Sequence, residues 1–294
     1  MILVLGGGFG LYGHLAALVG LDHQVATLDR YRPVLRSRPE LQDLDQRVEW
    51  IEDEAAALAR ADAVVLARRP DDNAALMARL VASGQGGTLV VEKPIAASPG
   101  QAIALADQLE AAQRHWAVPY LFLYCDWFDL LRQRFALDDH AGVTINWSFR
   151  QSPKSRAWKR AEEEGGGALA FYFIHCLALA EALLPAATHS WSSQAGRGGG
   201  QSICLTAAQN NRTLSIRFDL DISDLAFRIA AGGATLVEDV TPFGALPVAN
   251  QADPRLPVLQ RFYREAVFGT RPQDTSFQRT VNQLWKDMEA YAAA

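Results

Sequence analysis

The feature that most constrains this chain is a glycine-rich turn placed directly between an apolar strand and a helix. Ile2–Leu5 is a short apolar run, Gly6-Gly7-Gly8-Phe9-Gly10 follows at once, and residues 11–20 are rich in Ala and Leu. Glycine permits a tight turn and lets the backbone approach a pyrophosphate, whose charge the N-terminus of a helix stabilises. The pattern predicts a dinucleotide-binding loop, with a strand–helix turn that holds no ligand as the alternative. The residues of this loop expected to contact the cofactor are Gly6, Gly8, Phe9 and Gly10.

Two registers of the glycine motif fit this stretch. One begins Gly6-x-Gly8 and has Leu11 at its third position, and the other reads Gly8-x-Gly10-x-x-Gly13. The first is preferred, because the second moves the turn too far beyond the end of the strand.

Strand-like and helix-like stretches alternate through the first half of the chain. Continuous apolar runs suit parallel strands buried on both faces. Their alternation with helices predicts right-handed βαβ units and a doubly wound parallel sheet, a Rossmann domain over residues 1–122. The expected strands are Ile2–Leu5, Gln24–Asp29, Val48–Ile51, Asp62–Ala67, Thr88–Glu92 and Pro119–Tyr124, and the expected helices cover 11–20, 53–60, 71–83 and 98–113.

The second half, residues 123–294, has a different pattern. Short segments alternate with turn residues, which is typical of antiparallel strands, and this predicts an α+β domain with a largely antiparallel open sheet. Such a sheet needs cover from its own helix or from a second subunit. The expected strands are Val143–Arg150, 188–194, 201–208, 212–220, 225–231 and 234–239, and the expected helices cover 126–137, 167–184, 254–268 and 276–292.

Composition excludes several classes of function. The net charge of −5 is spread along the 294 residues without a Lys/Arg-rich block, so a nucleic-acid or membrane-surface role lacks its electrostatic signature. No apolar run approaches the roughly 20 residues that cross a bilayer, and no signal peptide is evident. The three cysteines, Cys125, Cys176 and Cys204, show no zinc-site spacing and suggest free thiols. We expect a cytoplasmic protein without a metal site.

The end of the second strand bears on the choice between NAD and NADP. Asp29 lies 21 residues after Gly8, where a carboxylate accepts hydrogen bonds from the adenine ribose. Arg30 and Arg32 follow and could bind a 2′-phosphate instead, so NAD is favoured only weakly over NADP.

Glu92-Lys93-Pro94 ends the fifth expected strand, at the sheet edge where open α/β folds bind ligands. A lysine there can hold a substrate oxygen near the nicotinamide or supply a proton, and proline can fix the turn. An ordinary turn is the alternative.

Together these motifs resemble those of the Gfo/Idh/MocA family of NAD(P)-dependent oxidoreductases, in an order and spacing that span almost the whole chain. The resemblance implies a Rossmann domain, a second α/β domain whose open sheet forms homodimer or homotetramer contacts, and sugar-like substrates. Cofactor contacts would then include Pro70, Glu92 and Lys93. The matching residues are Gly6-x-Gly8-Phe9-Gly10 with His14-Leu15, Asp62-Ala-Val-Val-Leu-Ala-Arg-Arg-Pro70, Val91-Glu92-Lys93-Pro94, Trp158, Gly165-Gly166-Gly167-Ala-Leu169 and His175.

The chain departs from the family pattern in the helix that carries His175. Phe171 and Ala178 occupy positions where the family has aspartate, and Phe173 replaces a glycine. Residues 171 and 175 share one helix face, so the change alters the site itself. Asn73 also stands where the family often has histidine.

The resulting hypothesis is hydride transfer between nicotinamide and a carbonyl or hydroxyl carbon of a sugar, keto-sugar or biosynthetic intermediate. The resemblance implies Lys93 and His175 as the catalytic pair. Lys93, Trp158, Phe171, Tyr172 and His175 would bind the substrate. The alternatives are a dinucleotide-binding sensor or structural subunit that lost turnover, a packed histidine at 175, and an imine or linear tetrapyrrole reductase on a related fold.

Overall fold

The computed structural model describes most of the chain. The chain is divided into two compact units. The first unit comprises Met1–Leu121, Glu163–Gly165 and Pro247–Asn282, and the second comprises Phe122–Glu162, Gly166–Leu246 and Gln283–Ala294. The described residues are 1–85, 87–150, 161, 164, 166–167, 169–195, 201–220, 224–246, 248, 250–269 and 274–292.

The first unit is built on a six-stranded parallel sheet in the order β3-β2-β1-β4-β5-β6, which is the Rossmann order. Its strands are β1 (Ile2–Leu5), β2 (Val25–Leu28), β3 (Glu49–Ile51), β4 (Ala63–Leu66), β5 (Thr88–Val91) and β6 (Trp116–Ala117). The central strands β1 and β4 are buried along their whole length, as expected of parallel strands covered on both faces.

Helices connect these strands, and their ends follow local sequence signals. Asp53 caps α3 by accepting from the amides of Ala55 and Ala56, and Ser98 caps α5 by accepting from the amide of Gln101. The helices are α1 (Gly10–Leu15, a wide π-type turn, continued by Ala16–Val19), α2 (Arg32–Arg36), α3 (Glu54–Arg60), α4 (Pro70–Ser83) and α5 (Pro99–Ala111), with 3₁₀ segments at Asp29–Tyr31 and Pro39–Gln46.

The predicted sixth strand, Pro119–Tyr124, is wrong. The strand is Trp116–Ala117, and Leu121–Tyr124 forms a short 3₁₀ turn. Pro119 has no N–H to donate to a sheet ladder, so the apolar run beyond it does not continue the strand.

The second unit contains a mixed six-stranded sheet in the order β12-β11-β7-β10-β9-β8. Every neighbouring pair is antiparallel except β7 and β10, which run parallel. The expected fold class is therefore confirmed. The strands are β7 (Gly142–Phe149), β8 (Thr188–Ala195), β9 (Gln201–Gln209), β10 (Arg212–Leu220), β11 (Ala226–Ala231) and β12 (Ala234–Asp239).

Two helices of the second unit are α6 (Asp126–Leu137) and α7, which begins with a wide turn at Leu169–Phe173 and continues over Ile174–Leu183. Phe173 at the start of α7 packs against Phe218 of β10, with ring centroids 6.0 Å apart. This contact places the start of α7 on the apolar face of the sheet.

The last two helices are α8 (Leu256–Phe262, continued by a wide turn at Tyr263–Val267) and α9 (Thr275–Ala292). Residues 247–282 belong to the first unit, so α8 lies with the Rossmann sheet. The domain division at residue 122 stays a prediction, and it does not anticipate this return of the chain. Within the described residues, no helix combines the length and apolar character that a membrane crossing requires.

Candidate functional site

The glycine loop between β1 and α1 has the geometry that a close ligand approach requires. A Cβ on Gly6 would lie 2.2 Å from the carbonyl oxygen of Ala67 at the end of β4, so no side chain fits there. A Cβ on Gly8 would meet no atom within 4 Å, which means that the space beside this backbone is open. Gly10 packs near Val4 and Ala67 and brings α1 close to the sheet. These positions favour the Gly6-x-Gly8 register and fit a dinucleotide pyrophosphate.

Phe9 points toward its own helix and the C-terminal part of the first unit. A Cβ on Gly13 would lie 2.3 Å from the Phe9 ring, which explains the glycine at position 13. The guanidinium of Arg255 stands 4.3 Å from the ring centroid, and Asp253 holds that guanidinium at 2.7 Å. Phe9 therefore packs against Arg255 and against its own helix at Gly13.

The end of β2 presents Asp29 with a half-exposed side chain. Arg32 Nη1 approaches its carboxylate at 3.8 Å, while Arg30 turns toward Glu54 and donates to it at 2.7 Å. A carboxylate at this strand end is the group that hydrogen-bonds an adenine ribose.

Glu92, at the end of β5, is the terminus of a buried hydrogen-bonded chain. His14 Nε2 lies 2.8 Å from Glu92 Oε1, and His14 Nδ1 lies 2.6 Å from the Tyr263 hydroxyl. Burial, assisted by the charge of Glu92, raises the pKa of Tyr263 well above its usual value, so the phenol keeps its proton. For a neutral imidazole, Tyr263 then donates to Nδ1, and Nε2–H donates to Glu92. This chain fixes the residue that directly precedes Lys93.

Lys93 is partly exposed and is followed by a cis peptide bond to Pro94. It lies at the carboxyl edge of the parallel sheet, as does the glycine loop after β1. Ligands of open α/β sheets bind at this edge. The first unit therefore places Gly6, Gly8, Glu92 and Lys93 at one edge of its sheet, and their contacts with a ligand stay predictions.

Two further positions after β4 have structural roles. Pro70 is buried at the first turn of α4. The Asn73 side chain accepts from the Arg68 amide at 3.1 Å and donates to the Leu66 carbonyl at 3.3 Å. Asparagine at this position therefore holds the loop that follows β4, and the contact of Pro70 with a cofactor stays a prediction.

In the second unit, His175 lies on α7 within a cluster of aromatic rings. Its ring stacks on Phe122 with centroids 4.9 Å apart and planes 21° from parallel, and only 6% of the residue is exposed. Phe122 in turn contacts Trp127 and Trp147 edge-on. These rings fix the plane of the imidazole within largely apolar surroundings.

Phe171 and Tyr172 precede His175 on the same helix and are both partly exposed. Tyr172 packs against Phe149 at 4.6 Å and against Phe171 at 5.0 Å, so the predicted substrate face of α7 is aromatic. Trp158 and Gly165 lie outside the described residues. The roles of Phe171, Tyr172 and His175 toward a substrate stay predictions.

Sequence reasoning missed the partners that come from distant parts of the chain. Tyr263 is separated from His14 by 249 residues, and Arg255 stands outside the region read as a cofactor domain. Glu54 and Asp45, which pair with arginines near Asp29, were also missed. The one available signal was His14 itself, a histidine placed on an otherwise apolar helix four residues after the glycine loop.

Comparison with known proteins establishes the fold. No protein-family model matches the sequence, and neither does any curated protein. Among solved structures, the WlbA dehydrogenase from Chromobacterium violaceum, in complex with NADH and UDP-GlcNAcA, is 15% identical; the match covers 99% of this chain and 93% of that one, with a TM-score of 0.72.

Two other structures are equally extensive matches. GenD2 from gentamicin A biosynthesis, in complex with NAD, is 19% identical over 97% of this chain and 91% of its own, with a TM-score of 0.71. KijD10, a 3-ketoreductase from Actinomadura kijaniata with NADP and TDP-benzene, is 15% identical over 97% and 95%, with a TM-score of 0.67. At these identities the matches show the fold, and the two-domain fold expected from the motifs is confirmed.

Proposed function

We propose that this protein is an NAD(P)-dependent oxidoreductase of the Gfo/Idh/MocA family that acts on a sugar or keto-sugar. The observation that carries the proposal is Lys93, held at the carboxyl end of β5 after a Glu92 that the His14–Tyr263 chain fixes. A turn alone does not require a lysine. At that edge of a Rossmann sheet, beside an open glycine loop, a lysine can hold a substrate oxygen or supply a proton.

Different residues around the loop would bind different parts of the cofactor. Gly6 and Gly8 leave room for the pyrophosphate, and Asp29 accepts from the adenine ribose. A bound nicotinamide would supply the hydride that the substrate carbon gains, or accept the one that it loses. Lys93 holds the substrate oxygen and exchanges its proton as that carbon changes between carbonyl and alcohol. His175 assists as the second acid or base.

The substrate class follows from the aromatic character of α7. Phe171 in place of a carboxylate removes a hydroxyl acceptor, while Tyr172 and Phe149 add ring surface. Two of the structural relatives were solved with nucleotide-linked ligands, UDP-GlcNAcA and TDP-benzene. We therefore favour a keto-sugar on a bulky nucleotide carrier over a free polyol.

The direct test is the Lys93→Ala variant. NADH or NADPH oxidation is followed with a panel of nucleotide-linked keto-sugars and simple ketoses. We expect turnover to fall about 10³-fold, within the range typical of a lost general acid. NADH binding, measured by fluorescence, should weaken far less than turnover falls. Lys286→Ala, at an exposed lysine of α9, is the matched control.

A second candidate is a dinucleotide-binding sensor without turnover, and the apolar Phe171 and Ala178 positions favour it. Tight NADH binding by the wild-type protein, without NADH oxidation in the presence of any ketone of the panel, would support the sensor. Turnover that survives both Lys93→Ala and His175→Ala would instead overturn the site assignment.

The assembly and location also stay proposals: a cytoplasmic homodimer or homotetramer that forms through the sheet of the second unit. The face of β10 that carries the partly exposed Asp219 and the exposed Arg217 supplies polar contacts for it. Light scattering on the purified protein, compared with an Arg217→Glu variant, tests this arrangement.

A further inference from the structure

Around the adenosine end of the candidate site, arginines are paired with carboxylates. Glu54, at the start of α3, accepts from Arg30 at 2.7 Å and from Arg68 at 3.0 and 2.6 Å. Arg30 directly follows Asp29, and Arg68 follows β4. One carboxylate therefore holds two guanidiniums that originate at different strand ends of the same sheet edge.

Asp45 likewise binds a second pair of arginines. It accepts from Arg32 at 2.8 Å and from Arg36 at 2.8 Å. Arg30, Arg32, Arg36 and Arg68 thus all have a carboxylate partner. Arginine is the residue that best recognises a phosphate, because its planar guanidinium makes two parallel hydrogen bonds. At this edge, Arg32, Arg36 and Arg68 each place two nitrogens on a carboxylate, and Arg30 places one on Glu54.

We propose that Glu54 determines coenzyme specificity: by holding Arg30 and Arg68, it keeps them from a 2′-phosphate and makes the site select NAD(H) over NADP(H). This inference rests on the proposed function, because it concerns the same cofactor site. It also decides between NAD and NADP, a choice that the sequence leaves open because arginines directly follow Asp29.

The surroundings of Glu54 suit such a role. Burial raises the pKa of Glu54, but Arg68 and Arg30 lower it by more, so the carboxylate stays ionised at neutral pH. Its side chain is 23% exposed and that of Arg68 is 16% exposed, so bulk solvent screens this pair less than a surface pair. Arg68 Nε is buried and has no hydrogen-bond acceptor among the described residues. Loss of Glu54 would leave this guanidinium in need of an anion.

The test measures binding of NADH and NADPH by fluorescence titration, without any substrate. Glu54→Gln keeps the size of the side chain and removes its charge. Glu49→Gln is the matched control, because Glu49 pairs with Arg60 at 2.8 Å at the opposite end of β3. A Glu54→Gln/Arg30→Ala double variant asks whether the released arginine causes the effect.

Wild-type protein should bind NADH at least about 10-fold more tightly than NADPH. Glu54→Gln should tighten NADPH binding by about 10-fold and change NADH binding by less than about 2-fold. Glu49→Gln should leave both dissociation constants unchanged. The double variant should lose the part of the gain that Arg30 supplies, and the released Arg68 should retain the rest. If Glu54→Gln folds poorly, Arg30→Ala replaces it: an arginine already held by Glu54 predicts no loss of NADPH affinity in that variant.

The inference is overturned if wild-type protein prefers NADPH, if Glu54→Gln changes both affinities equally or neither, or if Arg30→Ala alone weakens NADPH binding. Each of these results leaves the oxidoreductase proposal intact. If wild-type protein binds neither dinucleotide, the proposed function itself fails.

Discussion

Two buried histidines, one in each unit, are held in different ways. Both ring nitrogens of His14 lie within hydrogen-bond distance of polar partners, Glu92 and Tyr263, whereas the His175 ring lies flat against Phe122 within an aromatic cluster. Hydrogen bonds fix the direction of the two His14 nitrogens, and stacking on Phe122 fixes the plane of the His175 ring. We expect His14 to maintain the fold around Glu92, and the role proposed above for His175 is in proton exchange with the substrate. Three experiments test this division, and a fourth tests the Glu54 ion pair of the first unit.

The largest expected effect is the loss of stability in His14→Ala. The change removes a fully buried ring and leaves the Tyr263 hydroxyl and the Glu92 carboxylate without their partner. Such losses cost about 3–5 kcal/mol in the free energy of unfolding. Urea denaturation of the variant measures it, with His140→Ala at an exposed turn as the control. A cost below about 1 kcal/mol would remove the distinction between the two histidines.

The next effect is a loss of turnover in His175→Phe. A phenyl ring preserves the stacking on Phe122, so we expect the free energy of unfolding to fall by less than about 1.5 kcal/mol. Turnover should fall about 10²-fold, since the variant has no ring nitrogen to exchange a proton. Steady-state kinetics and urea denaturation of the same preparation separate the two results. Full activity would make His175 a packing residue, the alternative that the sequence left open.

A smaller effect is expected for Tyr263→Phe. The variant removes only the hydroxyl that faces His14 Nδ1, so the cost is one buried hydrogen bond, about 1–2 kcal/mol. Denaturation midpoints should show it, and Tyr291→Phe, at an exposed tyrosine of α9, is the matched control. A cost equal to that of the control would mean that Glu92 alone holds His14.

The smallest effect concerns Glu54 and acid pH. The pKa of Glu54 is lower in the folded protein than in the unfolded chain. The ionised carboxylate therefore contributes stability above the unfolded pKa of about 4.3. This contribution is lost as pH falls through the lower folded pKa. The melting temperature of wild-type protein should therefore exceed that of Glu54→Gln at pH 6, and the gap should close below about pH 4. A gap that stays constant with pH would show that the ion pair does not stabilise the fold.

Local sequence signals predicted the parts of the site that short-range chemistry determines. A strand, a glycine turn and a helix are adjacent in sequence, so the turn that contains Gly6 and Gly8 could be predicted from the sequence. Lys93 was found in the same way, at the end of an apolar run. The sixth strand was misplaced because Trp116–Ala117 is only two residues long, and its apolar character continues past Pro119 into a turn.

The partners of these residues could not be predicted, because ion pairs and buried hydrogen bonds leave no periodic pattern in a sequence. Glu54 and Arg68 look like ordinary charged residues at a helix start and in a loop, and only the sheet order brings them together. Tyr263 looks like any apolar-face residue of a late helix.

The return of residues 247–282 to the first unit affects how this chain can be made. During synthesis the ribosome releases the N-terminal sheet long before Tyr263 and Arg255, the partners of His14 and Phe9, have emerged. The packing of the nascent first unit therefore stays incomplete until more than 120 further residues have been translated. Until then, His14 lacks one of its partners. An expression fragment cut after residue 122 would remain in that unfinished state, whereas a fragment that joins 1–121 to 247–282 through a short linker would carry both missing partners.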